Sequence, residues 1–288
     1  MKTRPYCAFL SLLASLLFLH SSSFGWGFFA HKWINRVAIE SLPDEIRPFF
    51  QSHQTYLSKH AIDPDLWRQD DPDEQYRHYI DIDMYGRYPF KELPRSSEQA
   101  TKKFGEETVV KRGIAPWWVV QTYKNLVEAM QAGEPDSIIF VSAALGHYVS
   151  DLHMPLHNVE NYDGKLTGNK GIHARFERWM IERYSEDMQL TVAKARRFDV
   201  PLDAIFEVVL ESVQFADAIL EADTRAKVSG RVYQKSEDYD AEYYGALFKN
   251  AGGLAEKRMS QAAHAVGSFW YSAWIEAGKP ELALNPSH

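Results

Sequence analysis

One segment, Pro135 to His157, restricts the fold more than any other. Ile138–Leu145 is so apolar that it belongs inside the protein, yet His147 and Asp151 follow it four residues apart. On a helix those two positions share a face. An apolar helix does not bury a charge without a partner, because the lost hydration is expensive. Pro155 ends the helix, and His157 follows where the chain can turn back towards the same face. Sixteen residues later His173 and Glu177 repeat the spacing. Two helices that each offer a His-x3-carboxylate pair, with a third His between them, can enclose a metal cluster inside a bundle. Neutral imidazole and carboxylate suit zinc.

The remaining chain supplies the helical shell such a cluster needs. Phe28–Leu42 carries Phe29, Trp33, Val37 and Ile39 near helical spacing and stops at Pro43. Pro116–Ala132, Pro135–His153, Ile172–Tyr184 and Pro201–Glu221 read as further helices, and Ala241–Glu276 as one or two around Gly252-Gly253. Tyr79–Met84 alternates in bulk and is a candidate short strand. Residues 54–98 and 158–171, rich in Asp, Pro, Gly and Asn, read as irregular. No repeat or long linker divides the chain. The expectation is an all-α protein, a single compact helical domain over residues 26–288.

The first 25 residues stand apart. Lys2 and Arg4 precede an apolar run of 12 residues, Ala8–Leu19, and then Ser21-Ser22-Ser23-Phe24-Gly25. This is the layout of a secretory signal peptide, with Ser23 and Gly25 at the −3 and −1 positions of a cut before Trp26. The run is too short to span a bilayer comfortably; a buried N-terminal helix is the alternative. Export to the periplasm or the medium follows. Cleavage removes Lys2, Arg4 and no acid, so the net charge of −7 becomes −9. It also removes Cys7, the only cysteine. The mature chain then has no disulfide, and a large core or bound metal must hold it together in an oxidising compartment. Its acidity excludes a broad basic face for nucleic acid. If it binds phosphates, something other than Lys and Arg supplies most of the positive charge.

Trp26-Gly27-x3-His31, Arg77-His78-Tyr79-Ile80-Asp81, His147-x3-Asp151, Pro155-Leu156-His157 and His173-x3-Glu177 occur in that order. In this set the chain resembles the superfamily of the fungal and plant single-strand-specific zinc nucleases and the bacterial zinc-dependent phospholipases C. The resemblance spans Trp26 to Glu177. It implies three zinc ions per chain in a helical domain, at the base of a cleft. One ion is held partly by the amino nitrogen and carbonyl oxygen of a mature N-terminal Trp, here Trp26, so the predicted cut and the motif select the same residue. The implied ligands are Trp26, His31, His78, His147, Asp151, His157, His173 and Glu177, with Asp151 bridging two ions. The remaining carboxylate is Asp65, in Asp65-Leu66-Trp67-Arg68, or Asp63. Asp65 is preferred because it brings Arg68 with it.

The resemblance further implies phosphodiester hydrolysis by a zinc-bound hydroxide. Asp65 would orient the nucleophile, Asp151 would hold the ions together, and Arg68 would offset charge on the phosphate. Three ions carry about +6, which lets an acidic protein bind a phosphodiester. In the nucleases the residues at Tyr79 and Asp81 stack on a base and bond its edge; here they are candidates for that pocket or for loop packing. Gly168-Asn169 resembles a nuclease motif. By contrast, Glu177 in place of Asp, and the short gap from His157 to His173, look like the phospholipases. Trp117, Trp118 and Tyr85 are either a lipid-facing set or core. The expected function is a nuclease acting on single-stranded DNA or RNA as a monomer without a stable protein partner. The alternatives are a phospholipase C and a non-catalytic zinc-binding protein. His153 faces away from Asp151 on a helix and reads as support for a ligand. His53, His60 and His264 read as structural or surface, and His288 as a mobile end.

Overall fold

The structure, a computed structural model, describes residues 26–282. The predicted leader with Cys7, and His288, lie outside the described residues. Six longer helices carry the architecture: α1 (Phe28–Ser41), α2 (Ala115–Ala132), α3 (Pro135–His153), α4 (Pro201–Val213), α5 (Ala216–Ala226) and α6 (Ala241–Glu276). Short helices and turns fill the stretch between α1 and α2. The described residues contain no strand, and none of their helices is long and apolar enough to cross a membrane.

Helix α3 is the axis. Its residues from Ser142 to His153 are all buried, as an all-round apolar helix requires. Helices α1, α2, α4 and α6 pack around it. Gly133 closes α2 in the left-handed conformation, at φ 67°, and Pro135 opens α3 in its first turn. This Gly-then-Pro punctuation folds α2 back along α3.

Gly146 sets the approach of α1 to α3. A Cβ there would lie 2.1 Å from Asn35 Oδ1. The bare backbone lets α1 close on α3, and Asn35 Nδ2 donates to the Leu57 and Ala143 carbonyls at 3.2 Å each. That close approach lays the ring of His31 on that of His147, centroids 3.9 Å apart.

Two expectations are corrected. Tyr79–Met84 is not a strand: the Ile80 amide donates to the His157 carbonyl and the Asp81 amide to the Arg112 carbonyl. Residues Ile82–Tyr85 then form a 3₁₀ turn. With partners on two different segments, no ladder can form. The helix expected over Pro201–Glu221 breaks at Gln214 and Phe215, so that α4 packs on α2 and α3 while α5 turns onto α6. Of the one or two helices expected around Gly252-Gly253 there is one: α6 runs unbroken for 36 residues.

Residues 188–198 take no regular structure, yet their backbone is not left unpaired. The amides of Gln189, Thr191, Arg196 and Phe198 donate to side chains of Glu256, Ser260, Ser268 and Ser272. His264 Nδ1 donates to the Ala193 carbonyl at 3.2 Å. These side chains recur every four residues, so one face of α6 stitches down an extended strap.

Candidate metal centre

Six segments converge on one buried volume. Helix α1 brings His31. The short helix Asp63–Trp67 brings Asp65, with Arg68 next in line. A 3₁₀ turn, Pro72–Arg77, ends at His78. Helix α3 brings His147 and Asp151, and the turn Pro155–Asn158 brings His157. Ile172–Ala174 carries His173 and runs into a π-turn, Arg175–Met180, that carries Glu177. Single π-turns are rare and concentrate at functional sites. All eight side chains are buried.

The side chains form three groups with ligand atoms close enough to share an ion: His31 with Asp65 and His147, His78 with His147 and Asp151, and His157 with His173 and Glu177. Asp151 is the hub. Its Oδ2 lies 2.9 Å from His78 Nδ1 and 3.2 Å from His147 Nε2. Its Oδ1 lies 3.4 Å from His31 Nε2 and 3.7 Å from His157 Nδ1. In the third group His173 Nε2 is 2.7 Å from Glu177 Oε2 and 2.9 Å from His157 Nε2.

The protons of these rings are committed elsewhere. His147 Nδ1 donates to the Ala61 carbonyl at 2.8 Å, and His157 Nδ1 to the His78 carbonyl at 2.9 Å. The Ser150 hydroxyl gives its proton to the His147 carbonyl, so His31 Nδ1 is the donor in its 2.8 Å contact with Ser150 Oγ. Each Nε2 therefore presents a lone pair. Two of these lone pairs, on His31 and His147, face the oxygens of Asp151. Acceptor facing acceptor in a dry interior is unfavourable unless a cation lies between them. His31 Nε2, Asp151 Oδ1, both oxygens of Asp65 and Glu177 Oε2 are buried without a hydrogen-bond partner. Imidazoles and carboxylates in this state fit a borderline divalent metal.

Burial, with His147 adding to it, holds His31 down to about 3. Burial also lowers His157 and His173, and it raises the carboxyls of Asp65 and Glu177. Neutral rings are the form that ligates metal. His78 goes the other way, up to about 9, because Asp151 and Glu74 on its two sides outweigh its burial.

Trp26 is fully buried. Its indole donates to the Ser150 carbonyl at 2.8 Å, and the Gly27 amide to the Glu177 carbonyl at 3.4 Å. The start of α1 is thereby fixed beside the cluster. Asp65 and Asp63 are separated by the geometry: Asp65 lies 3.8 Å from His78 Nδ1 and 3.9 Å from His147 Nε2. Asp63 stands outside the three groups and binds His60 Nδ1 at 2.7 Å. Asp65→Asn is accordingly expected to lower kcat/KM on a phosphodiester about a hundredfold or more, and Asp63→Asn by less than about threefold. Equal losses in the two variants would reverse this preference.

A cavity of about 180 Å³ opens over the cluster, lined by His78, His157 and His173 together with Arg68, Tyr79, Asp81 and Tyr162. Arg68 Nη1 lies 3.8 Å from Asp65 Oδ1. Burial, with Asp83 and Glu160 nearby, pushes Asp81 up to about 7. Near neutrality its carboxyl exists both as an acceptor and as a donor. A larger cavity of about 510 Å³ lies elsewhere, under the 188–198 strap, and contains none of the eight cluster residues.

His153 lines that second cavity. Its Nδ1 donates to the Val149 carbonyl, and its own carbonyl accepts from Arg258, so it does not back a cluster residue as expected. Trp117, Trp118 and Tyr85 are not a lipid-facing set. Tyr85 is buried, Trp117 donates to the Arg95 carbonyl, and Trp118 packs under the Arg77 guanidinium at 4.1 Å. Asn169 of the Gly168-Asn169 pair is buried and anchors its loop to Asp223 at 2.7 Å.

Some contributors carry no motif. Glu74 is buried with Oε1 3.4 Å from His78 Nε2, the nitrogen turned away from the cluster, and it accepts from the Tyr148 hydroxyl. It lies four residues before His78 on a turn, a spacing that could have flagged it. Ser150 and the Ala61 carbonyl fix two rings, and a serine or a backbone oxygen is invisible in a sequence. Tyr162 lines the cavity and its ring lies 5.4 Å from His173.

The fold and the site together define an all-helical protein built around buried clusters that can hold metal. A family profile, S1/P1 Nuclease, matches residues 26–184. The match covers more than half of the chain, which belongs to the S1/P1 nuclease family. Membership indicates a nuclease-type phosphodiester hydrolase. The matched stretch contains every candidate ligand, and α4, α5 and α6 lie beyond it. No curated protein matches the chain.

Proposed function

We propose that the protein is an exported zinc-dependent nuclease that cleaves single-stranded nucleic acid. The observation that carries the reading is the facing of acceptors on acceptors around Asp151, which a cation relieves. Zinc is the metal best suited to this set of imidazoles and carboxylates. Three ions would divide the residues as follows. Asp65, His78 and His147 would hold one with Asp151 Oδ2. Trp26, through its amino nitrogen and carbonyl oxygen, and His31 would hold another with Asp151 Oδ1. His157, His173 and Glu177 would hold the third. Residues 1–25 would serve as the cleaved export signal, leaving Trp26 first.

Bound zinc supplies Lewis acidity and lowers the pKa of water. The protein's own groups then position the diester. Arg68, beside Asp65 and in the cavity wall, presents a guanidinium fork to phosphate oxygens. Asp65 orients the attacking water. Tyr79 offers a ring face to a base and Asp81 a carboxyl to its edge. Glu177 supports a second reading, a phospholipase C, because the phospholipases carry Glu where the nucleases carry Asp.

The deciding experiment assays residues 26–288 in parallel on single-stranded DNA, RNA and phosphatidylcholine, with and without chelator. Chelator-sensitive cleavage of the nucleic acids is expected. Cleavage of phosphatidylcholine alone would favour the second reading, and no hydrolysis of any substrate by zinc-replete protein would leave a non-catalytic zinc-binding protein.

A further inference from the structure

The chain is acidic, yet residues 87–112 carry seven Arg and Lys against four Glu, a local excess of +3 in a protein of −7. This segment ends at the cavity. The Tyr79 hydroxyl donates to the Lys111 carbonyl at 3.0 Å, and the Asp81 amide to the Arg112 carbonyl at 2.7 Å. Gly113, at φ +87°, lets the Tyr79 carbonyl approach so closely that a Cβ would lie 2.1 Å from it. The backbone of Lys111 and Arg112 is thus fixed behind Tyr79 and Asp81 of the cavity wall. From there a line of contacts leads away. The Arg112 guanidinium sits 4.9 Å over the Tyr85 ring, Tyr85 meets Phe104 edge-on at 5.0 Å, and Lys103 Nζ lies 5.0 Å from the Phe104 ring. The aromatic pair, Tyr85 buried and Phe104 partly so, links the two cations. The Lys111 side chain is 65% exposed and pairs with Glu107, itself 81% exposed. Such a pair is weak and exchanges readily for another anion. Lys103 is exposed and donates to a neutral carbonyl, that of Glu92.

We propose that Lys111, Arg112 and Lys103 form a track that holds phosphates of a single-stranded nucleic acid beyond the bond being cleaved. The proposal rests on the nuclease reading above. The cluster would handle the scissile phosphate, while this strip handles its neighbours and makes longer strands better substrates than short ones.

The test compares wild-type protein with the Lys103→Gln/Lys111→Gln double variant. Both sites are exposed, so the fold is retained, and Lys249→Gln, on an exposed part of α6, serves as the control. Cleavage of a single-stranded DNA 20-mer and of a dinucleotide is measured over a range of salt concentrations, with binding of a fluorescent 20-mer followed by anisotropy. On the 20-mer, KM is expected to rise about three- to tenfold at low salt with kcat unchanged. The slope of log affinity against log salt should become shallower by about 0.7 for each phosphate no longer held. The dinucleotide and the control should show no change. Equal losses on both substrates, or an unchanged salt slope, would overturn the track and leave the nuclease reading intact. Should wild-type protein cleave no nucleic acid, that reading fails, and the anisotropy slopes alone decide the track. Lysine-dependent binding to anionic phospholipid vesicles in place of the 20-mer would also overturn it.

Discussion

Asp151→Asn is expected to lower kcat on single-stranded substrate by about a thousandfold or more, roughly 4 kcal/mol of transition-state stabilisation. Asp151 is fully buried, and four imidazoles crowd its two oxygens at 2.9 to 3.7 Å. The substitution keeps size and helix compatibility. It removes the one charge able to hold two cations side by side, and it turns an amide N–H₂ towards ring nitrogens whose lone pairs it would occupy in place of a metal. At least one ion should be lost, so elemental analysis is the companion measurement, read against wild-type protein prepared identically. A variant that kept its metal and more than about a tenth of wild-type kcat on every phosphodiester tried would end this account of the site.

The centre of the molecule is legible in the sequence because its signals are local. Pro135 and Pro155 bound α3, and the spacing of His147 to Asp151 states in one dimension what the helix does in three. His173 and Glu177 carry the same statement, and the π-turn that carries Glu177 leaves the pair together, 2.7 Å apart. What the sequence hides is what tertiary partners decide. Nothing between Val213 and Ala216 resembles a helix breaker, and the chain breaks there because α4 and α5 serve different neighbours. The alternation of Tyr79–Met84 suits a strand, but a strand needs a ladder, and the partners of Ile80 and Asp81 lie on separate segments. The 188–198 strap is held by Glu256, Ser260, Ser268 and Ser272, four ordinary polar residues whose common face is plain only once the helix that carries them is known. His153 is close to the cluster in sequence, but two residues along a helix is a rotation of about 200°, and the side chain ends in a different cavity.

Removing the metal is expected to lower the Tm of residues 26–288 by about 10 °C and to abolish cleavage. No cysteine follows Cys7, so no disulfide ties the domain. Bound metal would do so instead, joining segments from His31 to Glu177 across nearly 150 residues. Without a cation, Asp65, Asp151 and Glu177 share one volume, each at 2% exposure or less, and burial together with the neighbouring carboxylates raises Asp65 and Glu177 towards protonation. Ligand linkage sets the scale. One site filled at a thousand times its Kd contributes about 4 kcal/mol. For a domain of this size each kcal/mol moves Tm by about 2–4 °C. A single tight site therefore accounts for about 10 °C, and three sites for more, within what the unfolding cooperativity allows. The measurement is a melting curve followed by circular dichroism in excess zinc, after chelation, and after zinc is restored, with metal content determined at each stage. Recovery of both Tm and activity on restoring zinc separates metal loss from irreversible damage. A melting temperature that stays within about 2 °C while elemental analysis shows the metal gone would mean that the bundle packs these carboxylates without a cation, and the assignment of the cluster as a metal centre would fall with it.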